Sequence, residues 1–446
     1  MLGEWRTAKL VEVAAKKRWA LNGGPFGSKL SRKHYSESGV PVIRGTNLPS
    51  DCKFSFDDFV FVSEEKADEL QANNAHPGDL VFTQRGTIGQ VGLIPADSRF
   101  RRFVISQSQM KLTVDSAVAS PLFLYYFFSA GDTVQKIQNL AFAAGVPHIN
   151  LDILRNFEVP LPSLPVQQRI AGILSAYDEL IENSLRRIKI LESMARALYR
   201  EWFVHFRFPG HENHARVTSP LGEIPQGWEV IPFDSLLASM TGGDWGSEQP
   251  EDRDTAEVIV VRGTDFDEVA YGGQLRAPVR YIKPSSLVTR GLKVGDVMIE
   301  NSINAKSRSV GTTLLVDNHV LNRLGRDAIA ASFCKVFRLH DPRLAPLVHL
   351  RARHLREDAR MEYYQNVAAN GIANFQAQKF AKEEQLILPT DNVMRAKLIE
   401  PIAEIFQSVG VLASQLSNLR RTRDLLLPRL LSGQMDFSNP PEPVSA

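Results

Sequence analysis

Val166–Phe203 reads VQQRIAGILSAYDELIENSLRRIKILESMARALYREWF, and this stretch decides how the rest of the chain is read. It holds no proline and a single glycine, Gly172. Its apolar residues fall on one line: Ile170, Leu174, Tyr177, Ile181, Ser184, Ile188, Leu191, Ala195, Leu198 and Trp202. The steps alternate four and three, the heptad pattern of a helix packed along a seam, with Ser184 the one polar break. About 33 residues at ~1.5 Å each predict a rod of roughly 50 Å.

The rod occurs twice. At a constant offset of 228, Ile170 to Leu398, stand Leu398, Ile402, Ile405, Val409, Leu412, Leu416, Leu419, Arg423, Leu426 and Leu430. Only Arg423 is not apolar. The regions before the rods also repeat, more loosely. GGPFGS (Gly23–Ser28) answers GGDWGS (Gly242–Ser247), and VIRGTNL (Val42–Leu48) answers VVRGTDF (Val260–Phe266). AAGVPHINL (Ala143–Leu151) answers AANGIANF (Ala368–Phe375). Gly78-Asp79 answers Gly295-Asp296, and VPLP ending at Pro162 answers LILP ending at Pro389. The offset drifts from 219 (Gly23 to Gly242) to 227 (Pro162 to Pro389), so insertions lie in the globular parts and none in the rods. The chain is a duplicated module, a globular part followed by a long helix.

The 446 residues suit two to three domains. Hydrophobic content of 43% with 23% charged residues is that of a water-exposed globular chain. The absence of a long apolar run and of a signal-peptide pattern points to the cytoplasm and away from a membrane. Cys52 and Cys334 lack metal-ligand spacing and read as buried hydrophobes in a reducing compartment. A net charge of +2 excludes a highly basic nucleic-acid coat but not a reader of DNA within a larger assembly.

Organisation follows from punctuation. Residues 1–162 read as a mixed α/β domain, with strands at Val40–Ile43, Leu80–Thr83, Val91–Ile94 and Met110–Val114 and a helix opening at Pro121. The first helix occupies 163–206. A Pro- and Gly-rich stretch at 207–228 reads as an irregular connector. A second α/β domain fills 229–390, with strands at Val258–Val261, Val297–Glu300, Thr312–Val316 and Phe333–Leu339. The second helix occupies 391–435, and 436–446 is a disordered tail.

Catalytic signatures are missing. There is no phosphate loop of the GxxxxGK[ST] type and no HExxH zinc helix. His211 and His214 sit in the connector without a cysteine nearby and read as solvated linker residues. Asp57, Asp58, Glu64 and Glu65 read as a solvated charged face, not a nuclease centre. Asn439-Pro440-Pro441-Glu442 resembles the Asn-Pro-Pro-aromatic loop of adenine methyltransferases, but Glu442 replaces the aromatic that would stack on a flipped base.

The repeated polar loops suit binding instead. Arg44 and Arg262 recur in RGT[ND]. Gln84, Arg85 and Thr87 lie where the second copy has Asn301, followed by Lys306 and Arg308. His148 and Asn150 answer Asn374 and Gln376. Arg, Asn and Gln make bidentate contacts to purine edges, while Lys, Ser, Thr and Gly-rich backbone suit phosphates. Phe26 and Trp245, with Ser28 and Lys29 beside the first, would stack, wedge or touch phosphate from the Gly-rich loops.

Taken together, GEIPQGWEV (Gly222–Val230), the paired rods, and the endings PLPSLPVQQRI (Pro160–Ile170) and LLLPRLLSGQM (Leu425–Met435) resemble the specificity subunit of type I restriction–modification systems. The resemblance covers essentially the whole chain. It departs at the N-terminus, where MLGEWRTAKL lacks the GEIPQGW lead-in and Trp5 stands for Trp228.

The resemblance implies an α+β chain of two pseudo-repeated mixed α/β target-recognition domains, separated by two long antiparallel coiled-coil helices. Each domain would read one half of a split double-stranded DNA site, and the helices would set the unread gap. The subunit would be non-catalytic and carry no cofactor. Two methyltransferase subunits would hold S-adenosylmethionine and methylate adenine, and motor–nuclease restriction subunits would use ATP and Mg. Tyr177, Ser184, Ile188, Leu191, Leu412, Leu416, Leu419 and Arg423 are the candidates for partner contact. A self-contained adenine methyltransferase and a coiled-coil scaffold unrelated to DNA are the alternative readings.

Overall fold

The computed structural model describes residues 5–50, 52–143, 148–304 and 310–434. The chain divides into two compact units, unit 1 (Met1–Leu180 with Arg421–Ala446) and unit 2 (Ile181–Arg420). Both boundaries fall inside the two long helices, α1 (Leu164–Tyr199) and α2 (Asn392–Leu431), so each unit holds a piece of both.

In unit 1 the strands are β1 (Leu21–Gly23), β2 (Val40–Ile43), β3 (Val60–Val62), β4 (Asn74–Ala75), β5 (Leu80–Thr83), β6 (Val91–Leu93), β7 (Phe103–Ile105) and β8 (Gln109–Leu112). They form two four-stranded sheets, ordered β1-β8-β5-β6 and β3-β2-β7-β4. In unit 2 they are β9 (Leu237–Gly242), β10 (Ala256–Val261), β11 (Val279–Ile282), β12 (Val297–Glu300), β13 (Thr313–Leu315), β14 (Ala328–Ala330) and β15 (Cys334–Leu339). Their orders are β9-β15-β12-β13 and β11-β10-β14. The topology repeats except that β4 has no counterpart in unit 2, and the parallel pairs β2 with β7 and β10 with β14 recur. Unit 2 adds a small sheet of Ser302–Asn304, Ile372–Phe375 and Gln365–Val367.

Local chemistry explains the repeated punctuation. Gly78 and Gly295 both sit at φ +87°, in the left-handed region that disfavours side chains. Each lets the next residue's carboxylate fold back: Asp79 accepts from His76 N–H at 2.9 Å, and Asp296 accepts from Lys293 N–H at 2.8 Å. The turn delivers the chain into β5 or β12, strands buried along their whole length.

The heptad seam is buried as read. Within unit 2, Ile181, Ile188, Val409, Leu412, Ala413 and Leu416 form one cluster, and Ala195, Tyr199, Leu398 and Ile402 lie together in another. That pairing of rising with falling numbers makes the helices antiparallel. Within unit 1, Ile170, Ala171 and Leu174 share the core with Leu430 and Leu431. Each buried Leu or Ile contributes roughly 1.5–3 kcal/mol, so the ten such positions named hold the helices without the weak polar pairs.

The polar seam residues act differently. Ser184 is buried on the seam at 8% exposure. Arg423 donates to Asp178 across the helix pair at 3.0 Å, and Tyr126 OH donates to the same carboxylate at 2.5 Å. Burial opposes the Arg423 charge, but Asp178 and Asp424 outweigh it and raise its pKa. Unit 2 has an analogous clamp, where Tyr271 and Arg353 both donate to Glu192 of α1.

Two regions differ from expectation. The 207–228 connector contains a hairpin, Arg216–Ser219 paired with Gly222–Pro225, because Gly222 (φ +101°) supplies the tight turn. His211 and His214 are half-buried and pack edge-on against Phe208, which is fully buried, so they are packed and not simply solvated. Cys334 is buried and its thiol is pushed up to about 12 by burial, whereas Cys52 is only half-buried. The 436–446 tail, with Asn439–Glu442, lies outside the described residues. No helix among the described residues is long and apolar enough to cross a membrane.

Candidate nucleic-acid interface

The repeated motifs converge at the ends of the sheets, and hydrogen bonds explain why. Gly24 N–H donates to Gln109 O at 2.8 Å, and Gly243 N–H donates to Cys334 O at 3.1 Å. A Cβ at Gly24 would stand 2.0 Å from Ser106 O, and one at Gly243 would stand 2.0 Å from Ala331 O. Only glycine allows this approach. The loop therefore turns outward, and two residues later Phe26 is 79% exposed and Trp245 40% exposed. The Arg280 guanidinium lies 5.3 Å over the Trp245 ring. Ser28 and Lys29 follow Phe26 in an exposed single turn of 3-10 helix.

The RGT[ND] loops are capped by their last residue. Arg44 N–H donates to Asn47 Oδ1 at 2.9 Å, and Arg262 N–H donates to Asp265 Oδ2 at 2.9 Å. Asn47 and Asp265 are both buried. The side chains then part company. Arg262 adds a bidentate pair to Asp265 at 2.8 and 2.7 Å, and that bonding raises its pKa. Asn47 has no charge to offer, so Arg44 reaches the Asp58 carbonyl, and its Nε is buried without a partner among the described residues.

A third loop joins them. Gln84 N–H donates to Ser108 O at 2.7 Å, and Ile149 N–H donates to Gln84 O at 3.2 Å. In unit 2, Asn301 N–H donates to Phe333 O at 2.8 Å, and Phe375 N–H donates to Asn301 O at 2.7 Å. These bonds set Arg85 opposite His148 in unit 1 and Ser302 opposite Asn374 in unit 2.

In unit 1 the loops border an open groove of about 520 Å³. Arg44, Arg85, Thr46, Thr83, Thr87, Gln90, Gln109, Ser106, Ser108, Gly45 and Gly86 line it, and none is acidic. Arg85 and Thr87 are exposed on its rim, and Gln84 is half-buried beside it. His148 Nδ1 is buried with no hydrogen-bond partner among the described residues. The groove thus brings Arg44, Arg85 and Thr87 together and adds residues that sequence reading missed. Thr46 was visible inside the RGT motif. Gln90, Ser106, Ser108 and Gln109 carried no repeat to single them out.

In unit 2 the described side chains Asn301, Ser302 and Asn374 at the corresponding positions are neutral. Asn301 Nδ2 donates to Ser302 Oγ at 3.3 Å, and Ser302 Oγ donates to Asn374 Oδ1 at 2.6 Å. Buried Glu300 stands where unit 1 has Thr83. Lys306 and Arg308 lie outside the described residues.

Other candidates have local tasks. Asn150 caps the helix Leu151–Arg155, accepting from Ile153 N–H at 2.8 Å. Gln376 is half-buried and its backbone N–H donates to Tyr364 O at 2.7 Å. On the helices, Ile188, Leu412 and Leu416 are at most 4% exposed, so their surface is used up in pairing. Tyr177, Leu191 and Leu419 are half-buried, and an open groove along the helices is lined by Leu191, Ile190, Val411 and Leu412. Of the acidic residues near β3, Glu64 and Asp68 pair with Arg102, and no metal-holding cluster occurs among the described residues.

Comparison with known proteins agrees with this geometry. Residues 3–193 match the family model of the type I restriction modification DNA specificity domain. The chain is similar to the MjaIX type I restriction enzyme specificity subunit of Methanocaldococcus jannaschii, 27% identical over 187 residues, 41% of each chain. The match thus spans less than half the length of that relative. A longer match, 21% identical over 408 residues, covers 80% of this chain and 86% of the HindI specificity subunit of Haemophilus influenzae. In fold the chain is similar to the crystal structure of a type I restriction-modification S subunit from M. genitalium, with a TM-score of 0.56 at 16% identity over 96% of each chain.

Proposed function

We propose that this member of the type I restriction–modification specificity-subunit family binds double-stranded DNA, each unit reading one half of a split site. The observation that carries the reading is the acid-free groove of unit 1. Two arginines and the half-buried Gln90 stand among hydroxyls and glycines there. Arginine forks match guanine O6/N7, glutamines match adenine N6/N7, and hydroxyls with glycine N–H groups suit phosphates. The duplicated loop framework supports a second reader in unit 2.

The chain supplies recognition in this scheme and acts in the cytoplasm. Two methyltransferase subunits dock on it and methylate adenine with S-adenosylmethionine. Restriction subunits add ATP- and Mg-dependent cleavage. The paired helices set the unread gap, so one added turn in α1 should change the gap and leave both half-sites intact.

Mapping modified adenines genome-wide, with and without this chain, tests the proposal. A bipartite motif that disappears with the chain is expected. Tight binding of labelled S-adenosylmethionine by the chain alone would instead favour a self-contained methyltransferase.

A further inference from the structure

Among the side chains that differ between the matched loops of the two units, one is a large apolar residue left exposed. Residues 106–109 make a four-residue turn closed by Gln109 N–H to Ser106 O at 3.1 Å, and residues 331–334 make the same turn, Cys334 N–H to Ala331 O at 2.8 Å. The third residue of each turn takes its carbonyl to the third loop, Ser108 to Gln84 and Phe333 to Asn301. Ser108 lines the unit 1 groove. Its counterpart Phe333 is 63% exposed.

An exposed phenyl ring at this position is not there for the core. Cys334 and Ala331 on either side are buried and already anchor the turn. Phe333 has no ring or cation partner among the described residues, unlike Trp245 under Arg280. Its neighbours across the loop, Asn301, Ser302 and Asn374, are neutral hydrogen-bonding groups. On the major-groove edges of DNA the one apolar feature is the thymine methyl group.

We infer that Phe333 is a specificity-determining residue of unit 2 that reads a thymine through its C5-methyl, an inference that rests on the DNA-reading role proposed above. Unit 1, with Ser108 in that place, makes no such contact. The ring covers the methyl while Asn301 and Asn374 hydrogen-bond to adjoining base edges. The site is one of van der Waals contact and water exclusion, so it is insensitive to salt.

The test uses the chain assembled with its methyltransferase partners and a duplex carrying its mapped site. Each thymine of the unit 2 half-site is replaced in turn by deoxyuridine, which removes only the methyl. One replacement is expected to weaken wild-type binding about fourfold, the equivalent of one buried methyl. In Phe333→Ser the same replacement has no further effect, whereas Phe333→Leu keeps part of the sensitivity. Thermal unfolding of Phe333→Ser matching wild type separates contact loss from misfolding. Specific binding with no sensitive thymine, or a deoxyuridine effect that persists in Phe333→Ser, overturns the inference alone. Absence of sequence-specific binding by the wild-type assembly overturns the DNA reading itself.

Discussion

The two units share most of a strand order and a set of loop hydrogen bonds, yet they present different side-chain chemistry at the same place. Unit 1 leaves Arg44 and Arg85 on an acid-free groove. Unit 2 ties Arg262 to buried Asp265 and puts Ser302 and Asn374 where unit 1 has Arg85 and His148. Asp265 in place of Asn47 adds a bidentate ion pair that holds Arg262 against its own loop. The backbone framework fixes where a side chain stands, and its neighbours decide whether it is available.

That contrast can be broken most severely at Asp265. Asp265→Ala removes a buried carboxylate that accepts both the Arg262 N–H and its guanidinium, and should destabilise unit 2 by about 3 kcal/mol in chemical denaturation. Asn47→Ala, which loses three neutral hydrogen bonds, should cost about 2 kcal/mol in unit 1. Equal losses would mean that the Arg262 pair adds nothing to unit 2.

A second asymmetry is one of pH. His349 in unit 2 is buried beside Arg353, bonds Thr313 Oγ1 at 2.9 Å, and has its pKa lowered to about 3. The folded state keeps it neutral while the unfolded chain takes up a proton below about 6.5. Its stabilisation is therefore complete above pH 6.5 and is lost as pH falls toward 3. Between pH 7 and 5 the loss should be on the order of 2 kcal/mol. His349→Gln should flatten that slope in a pH-resolved melting series.

The smaller effects fall on binding. Arg85→Ala should weaken DNA binding by about 1–3 kcal/mol and lower the salt slope by about 1, through the unit 1 half-site. Asn374→Ala should weaken the other half-site by about 1 kcal/mol and leave the salt slope unchanged. Binding isotherms at several salt concentrations, on duplexes altered in one half at a time, distinguish them. Salt sensitivity appearing in the Asn374→Ala arm would break the comparison.

The sequence by itself determined the duplicated plan, because a heptad seam and its copy 228 residues on admit one periodicity and one packing partner. It also placed the loops, since Gly24 and Gly243, or Gly78 and Gly295, meet backbone demands that no other residue satisfies. It could not tell an arginine paired with a carboxylate from one bonded to a carbonyl. Arg44 and Arg262 stand in the same motif, and only the folded position of Asp265 decides between them. Gln90 and Gln109 join the groove through backbone pairing with Thr83, and Ser106 through pairing with Ile43, contacts that leave no local pattern. Nor could the sequence rank the helix residues, since an apolar seam position looks alike whether it is fully sealed, as Leu416 is, or stays half-buried, as Leu419 does. Periodicity is written in the chain; availability is a property of what each side chain is packed against.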